Sequence, residues 1–124
     1  MYRFDNVSKP PAPYLAVVVR HPHTRAEIRI AAKLDTGAAK SVIPSSVVAT
    51  LNLETMGSLS ARGFNQAIDT YPVYYVELEV ADLKLPMLPV IALPRQDMLL
   101  GRDILNYFII TLDGKAGAFE MHDP

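Results

Sequence analysis

The chain of 124 residues carries 13 Asp and Glu, three His and no Cys. Without cysteine there is neither a thiolate nucleophile nor a disulfide framework, so any reaction must rest on carboxylates, imidazoles or hydroxyls. The residues most suggestive of chemistry are Asp35-Thr36-Gly37-Ala38. Taken alone, Asp, Thr and Gly are favoured turn residues, and a plain turn accounts for all three. Their surroundings argue for more. Ile30-Ala31-Ala32 and Leu34 lead in, and Val42-Ile43 follow closely, so the acid emerges from an apolar core onto a turn where Gly37 allows a sharp change of direction. A carboxylate held in that way can take or give a proton.

The other candidates read more simply. His21-Pro22-His23 has no further ligand nearby and falls short of a metal set, so it is expected to be a solvated turn. Tyr71, Tyr74 and Tyr75 suit sheet packing. Val42, Ile43 and Ile91 are expected either in the core or at the border of a substrate pocket. Glu77 and Glu79 read as the solvent side of a strand and Asp103 as a helix N-terminal charge. Twelve Lys and Arg against the 13 acids, a net charge of −1, point away from nucleic acid and anionic membranes. No apolar run approaches the ~20 residues of a membrane helix, and Met1-Tyr2-Arg3-Phe4-Asp5 lacks the layout of a secretory signal. A soluble, cytoplasmic protein is expected.

The elements that must position Asp35 are mostly strands. The proline-rich residues 1–13 are expected as an extended arm, followed by one domain over 14–124. Tyr14 to Arg20 and Arg25 to Ile30 form a hairpin signal around His21 to Thr24, and the second strand runs on to Leu34. Ser45 to Leu51 is predicted as a short serine-capped helix. Leu59 to Phe64 and Ile68 to Val80 form a hairpin with a protruding tip. A turn at Ala81 to Lys84 leads into an interrupted strand, Leu85 to Leu93. Met98-Leu99-Leu100-Gly101 is an apolar run closed by glycine, Arg102 to Phe108 a short helix, and Ile109 to Asp113 with Ala118 to Met121 a last hairpin. The fold class is therefore mostly β with one or two short helices.

Asp35-Thr36-Gly37-Ala38 in its apolar setting, followed later by Leu99-Leu100-Gly101-Arg102-Asp103-Ile104-Leu105, resembles the retropepsin-like, retroviral-type aspartic peptidases over nearly the whole chain. The resemblance implies a closed, barrel-like fold, with Asp35 as the catalytic acid and Thr36, Gly37, Ala38 and Gly101 as its support. Thr36 would cross a dimer axis, and the Gly37 N–H would donate toward the Asp35 carboxylate. The stretch from Ser60 to Ala67 resembles the flap that closes over bound peptide, with Arg62, Gly63, Phe64, Asn65 and Gln66 as substrate-binding residues. No cofactor and no metal are implied.

Cleaving a peptide bond in this way needs one carboxylate to deprotonate water and a second, protonated, to polarise the carbonyl. Asp5, Asp69, Asp82, Asp97, Asp103, Asp113 and Asp123 all lack a following Thr-Gly, so a homodimer must supply the second acid to a peptide or protein substrate. Two carboxylates on a two-fold axis cannot both ionise and share one proton. One departure stands out: Ala39 and Lys40 occupy positions where retroviral enzymes carry acids. Arg102 is then expected to pair with Asp103 or Asp5, or to cap the dimer surface, and substrate preference is expected to differ from the retroviral one. The alternative readings are a non-catalytic dimeric module that keeps this fold, and a monomeric β-domain whose turn is purely structural.

Overall fold

The computed structural model describes residues 1–56, 58–62 and 68–124, the side chains of 58–62, 68 and 69 excepted. In chain order the elements are β1 (Tyr2–Arg3), β2 (Tyr14–Arg20), β3 (Glu27–Leu34), β4 (Val42–Pro44), α1 (Ser45–Leu51) and β5 (Ser58–Arg62). These are followed by β6 (Ile68–Val80), β7 (Leu83–Leu93), β8 (Met98–Leu100), α2 (Arg102–Leu105), β9 (Ile109–Asp113) and β10 (Ala118–His122).

The alternating apolar residues of β2, Leu15, Val17 and Val19, all point inward and are buried, as a strand with one core-facing side requires. β2 pairs antiparallel with β3, and the sheet continues in the order β3-β8-β4-β7-β6. β6 then returns to β2 through Val18↔Glu79, Val19↔Leu78 and Arg20↔Glu77, which closes a six-stranded barrel. Closure removes the unpaired edges that an open sheet would leave. Val17, Val19, Ile43, Val76, Leu78, Val90, Met98, Leu100 and Ile104 fill the interior.

Glu77, expected on the solvent side of its strand, is buried at 4% exposure. The pairing of β6 with β7 shifts register between Val76 and Leu78, and this bulge breaks the in-out alternation so that Val76, Glu77 and Leu78 are buried in succession. A buried charge needs partners. Arg20 donates to Glu77, and Arg25 donates to it through both terminal nitrogens at 3.1 and 3.0 Å. Arg20 also reaches Glu79 at 2.8 Å and Glu27 at 2.9 Å. The seam that closes the barrel is thus a charge cluster as well as a strand pair.

The helices differ in detail from expectation. α1 spans the expected residues, but its cap position is Pro44, with no side-chain cap, and Ser45 already lies within the helix. α2 stops at Leu105, because the N–H groups of Tyr107 and Phe108 bond three residues back, to Ile104 and Leu105, at 3.0 Å each, tightening into turns. The turn before β7 is narrower than expected. It has positive φ at both Ala81 (46°) and Asp82 (70°), the two-residue geometry that matches strand twist, and Lys84 already belongs to β7.

Residues 1–13 attach to the opposite end of the chain. β1 pairs with β10, which pairs with β9, in a separate three-stranded sheet. Tyr2 and Phe4 pack on buried Phe119, with ring centroids 5.1 and 6.2 Å apart, and Ala12 is buried beneath a bridge to Asp5.

Candidate active site

Asp35 owes its position to two strands that run parallel. Ala32, Lys33 and Leu34 of β3 lie beside Met98, Leu99 and Leu100 of β8, with Ala32, Met98 and Leu100 fully buried. At the end of this pair the Asp35 N–H donates to the Leu100 carbonyl at 2.9 Å. The carboxylate is therefore carried out of the core on a backbone anchored to its neighbour strand. Asp35 itself is half-buried, and Thr36 and Gly37 are exposed. The Gly37 N–H donates to Asp35 Oδ1 at 3.0 Å, and the Ala38 N–H to the Asp35 carbonyl at 3.2 Å. Among the described residues, no cation lies within ion-pair distance of Asp35.

Beyond the turn the chain doubles back across β8. Val42 of β4 pairs with Leu99 from the other side and with Ile91 of β7, so β8 is wedged between the strand that enters the turn and the strand that leaves it. Gly101 is where the segments touch. A Cβ on Gly101 would stand 2.8 Å from the Lys40 carbonyl carbon and 2.9 Å from the Ala38 and Lys40 oxygens. These are backbone atoms with nowhere to go, so only glycine fits there.

Three further contacts lock the crossing. Ser41, fully buried, donates its N–H to Asp103 Oδ2 at 3.0 Å and its hydroxyl to Asp103 Oδ1 at 2.7 Å. The same hydroxyl oxygen accepts the Gly101 N–H at 3.0 Å. Arg102 donates its backbone N–H to the Ala38 carbonyl at 2.8 Å and its guanidinium to the Thr36 carbonyl at 2.7 Å. The expected partners of Arg102 are thereby corrected. Asp103 is occupied by Ser41, and Asp5 accepts from Val7 and Ser8, so with Ala39 and Lys40 in the loop the guanidinium takes a neutral carbonyl. Asp103 is likewise more than a helix-end charge, since it ties α2 to the site loop.

The entry to β8 is held separately. The Tyr14 hydroxyl donates to Asp97, and Arg95 reaches Asp97 Oδ1 at 2.5 Å. Burial pushes the Asp97 carboxyl up, but the bonds from Tyr14 and Arg95 outweigh it and hold the group below its ordinary value. The bond to Asp97 raises the Tyr14 hydroxyl in turn.

Thr36, Gly37, Ala38 and Gly101 thus gather around Asp35. Arg62 ends β5, where its backbone pairs with Ile68; its side chain, and Gly63, Phe64, Asn65 and Gln66 altogether, lie outside the described residues. Val42, Ile43 and Ile91 are buried. His21 caps its own turn, with Nδ1 accepting the N–H groups of His23 and Thr24 at 3.0 and 3.1 Å. Tyr75 lies apart from the Asp35 turn, in a cavity of about 440 Å³ lined also by His21, His23, Met56 and Met87. Sequence reasoning did not find Ser41. Its only signal is a small polar residue directly before an apolar strand, and its partner lies far along the chain.

Residues 24–104, more than half of the chain, match the family model described as aspartyl protease. Among curated proteins, none matches the sequence. Several solved structures share the fold. The EIAV protease, in a complex with the inhibitor HBY-793, is 19% identical, with a TM-score of 0.54 over 77% of this chain and 86% of that one. A retropepsin-like aspartic protease from Rickettsia conorii is 14% identical, with a TM-score of 0.57 over 91% of this chain and 83% of that one. The retroviral protease-like domain of Ddi1 from Leishmania major is 16% identical, with a TM-score of 0.51 over 89% of both. The closed barrel, the glycine-bearing acid turn anchored on β8 and the family match agree: the chain belongs to the aspartyl protease family and has a retropepsin-like fold.

Proposed function

We propose that this protein is an aspartic endopeptidase that works as a homodimer, each subunit contributing Asp35 to one dyad. The observation that carries the reading is the state of the Asp35 carboxylate. It is half-buried on an anchored turn, and among the described residues its Oδ1 accepts only its own loop's Gly37 N–H and no ion pair holds it. A structural turn acid would be consumed by its surroundings, as Asp5 and Asp103 are.

In the dimer the two carboxyl groups share one proton. The ionised one takes a proton from water as the water oxygen attacks the scissile carbonyl carbon. The protonated one gives its hydrogen to the carbonyl oxygen, and a tetrahedral diol results. Collapse of the diol breaks the C–N bond as the protonated carboxyl gives its proton to the departing amine and the ionised one takes a proton from a diol hydroxyl, so the dyad is left with one proton again. Arg62 to Gln66 would cover an extended peptide, with Thr36, Gly37, Ala38 and Gly101 keeping the acids in register. Self-association has a surface to use. β9 is the end strand of its sheet, and Ile109 and Leu112 on it, with Tyr107 just before, are 51–53% exposed, an apolar edge of the kind a second strand covers.

Asp35→Asn should abolish cleavage of an unstructured test protein while sedimentation and thermal unfolding remain as in the wild type. Undiminished cleavage by that variant would remove the assignment.

A further inference from the structure

The loop that carries Asp35 also carries a cation, Lys40. Lys40 is exposed, and among the described residues it makes no ion pair. Its backbone is nonetheless fixed. The Lys40 carbonyl lies against Gly101, the residue after the Leu100 that anchors Asp35. Its neighbour Ser41 is held by Asp103 through two hydrogen bonds, and Ala38 is held by the Arg102 N–H. The Lys40 backbone is therefore fixed beside the same β8 end that anchors Asp35, with its side chain exposed.

Arg102 spends its guanidinium on a neutral carbonyl, that of Thr36, so its charge is not cancelled by the contact. Asp103 keeps its own negative charge, and both its oxygens accept from Ser41 rather than from Lys40 or Arg102. A substrate laid across the Asp35 turn can thus meet the Lys40 ammonium, which no carboxylate among the described residues engages.

Resting on the endopeptidase reading, we propose that Lys40 is a specificity residue that selects substrates with an Asp or Glu side chain within two or three residues of the cleaved bond. The substrate class is an acidic extended segment. An exposed pair of this kind is worth a modest amount, roughly fivefold in kcat/KM between a Glu peptide and its Gln counterpart. The preference should shrink as salt is added, because the pair is partly in water.

The test uses the intact protein and two peptides of one cleavable sequence, differing only by Glu or Gln at a position flanking the cut, with the ratio of their kcat/KM values as the readout. Wild type should favour the Glu peptide, Lys40→Gln should bring the ratio to about one, and Lys40→Glu should invert it. Equal cleavage of both peptides by wild type, or a preference that survives Lys40→Gln, overturns the role of Lys40 while the peptidase assignment stands. If cleavage-site profiling of an unfolded protein mixture also finds no cut, the endopeptidase reading fails, and the specificity proposal falls with it.

Discussion

Ser41 and Asp103 grip one another at two points, N–H to Oδ2 at 3.0 Å and hydroxyl to Oδ1 at 2.7 Å, across the crossing of the site loop and β8. Because the Ser41 oxygen also takes the Gly101 N–H, its removal leaves a buried donor and one carboxylate oxygen, Asp103 Oδ1, short of their partners. Ser41→Ala is expected to cost about 1–3 kcal/mol of stability, read as a lowered urea midpoint, and to lower kcat/KM as well. Asp103→Ala should cost less in the Ser41→Ala background than in the wild type, since the hydroxyl bond is shared by both residues while the backbone N–H of residue 41 still uses Asp103. Full additivity in that double-mutant cycle would show that the pair does not act together.

Gly101→Ala tests the closeness of the crossing. Its methyl group would meet the backbone of Ala38 and Lys40 at under 3 Å, and overpacking of this kind typically costs about 1–3 kcal/mol. The loop can relieve the clash only by moving away from β8 and taking the Asp35 turn with it. Activity should therefore fall further than stability suggests, on the order of 100-fold for a displacement near 1 Å. A folded Gly101→Ala protein with unchanged kcat/KM would show that the contact does not position Asp35.

Acid should weaken the barrel at its closing seam. Arg25 and Arg20 hold the Glu77 carboxyl below its ordinary 4.5, and Arg20 and Lys84 do the same to Glu79. A carboxyl depressed in the folded state contributes stability that is complete above its unfolded value and is lost as the pH falls through the folded one. The urea midpoint should accordingly drop once the pH goes below 4.5. Asp97, also depressed, from an ordinary 3.8, joins at the lower end of that window. Glu77→Gln should flatten the upper part of the decline, and an acid limb identical to wild type would locate the titrating groups elsewhere.

The β9 edge offers a separate handle on the dimer. Ile109→Lys or Leu112→Lys places a charge on an exposed strand edge that strand pairing would have to bury. Each site is already half exposed in the single chain, so the fold should tolerate the change within about 0.5 kcal/mol. Sedimentation equilibrium is expected to show monomers, and cleavage should be lost with the second Asp35. A fully dimeric, active Leu112→Lys and Ile109→Lys pair would assign dimerisation to another surface.

Much of this architecture was legible in local pattern. The apolar run Tyr14 to Arg20 and the segment Arg25 to Ile30 marked a hairpin, and Asp35-Thr36-Gly37 flanked by apolar residues marked an acid leaving a core. Those signals survive because strand period and turn chemistry are set within a few residues. Glu77 was misread for the complementary reason. Its neighbourhood has the look of an alternating strand, and only the bulge opposite β7 together with Arg20 and Arg25 reverses which side it faces.

By itself, then, the sequence determined the strand content and the acid turn, both consequences of backbone sterics and hydrophobic period, whereas the need for glycine at position 101 comes from the crossing of the site loop with β8. Tertiary structure alone decided what surrounds that acid. Ser41 meets Asp103 and Arg102 meets Thr36 across more than sixty positions of chain, because closing the barrel brings β8 between β3 and β4. Which polar group finds which partner depends on that closure, and no local propensity encodes it.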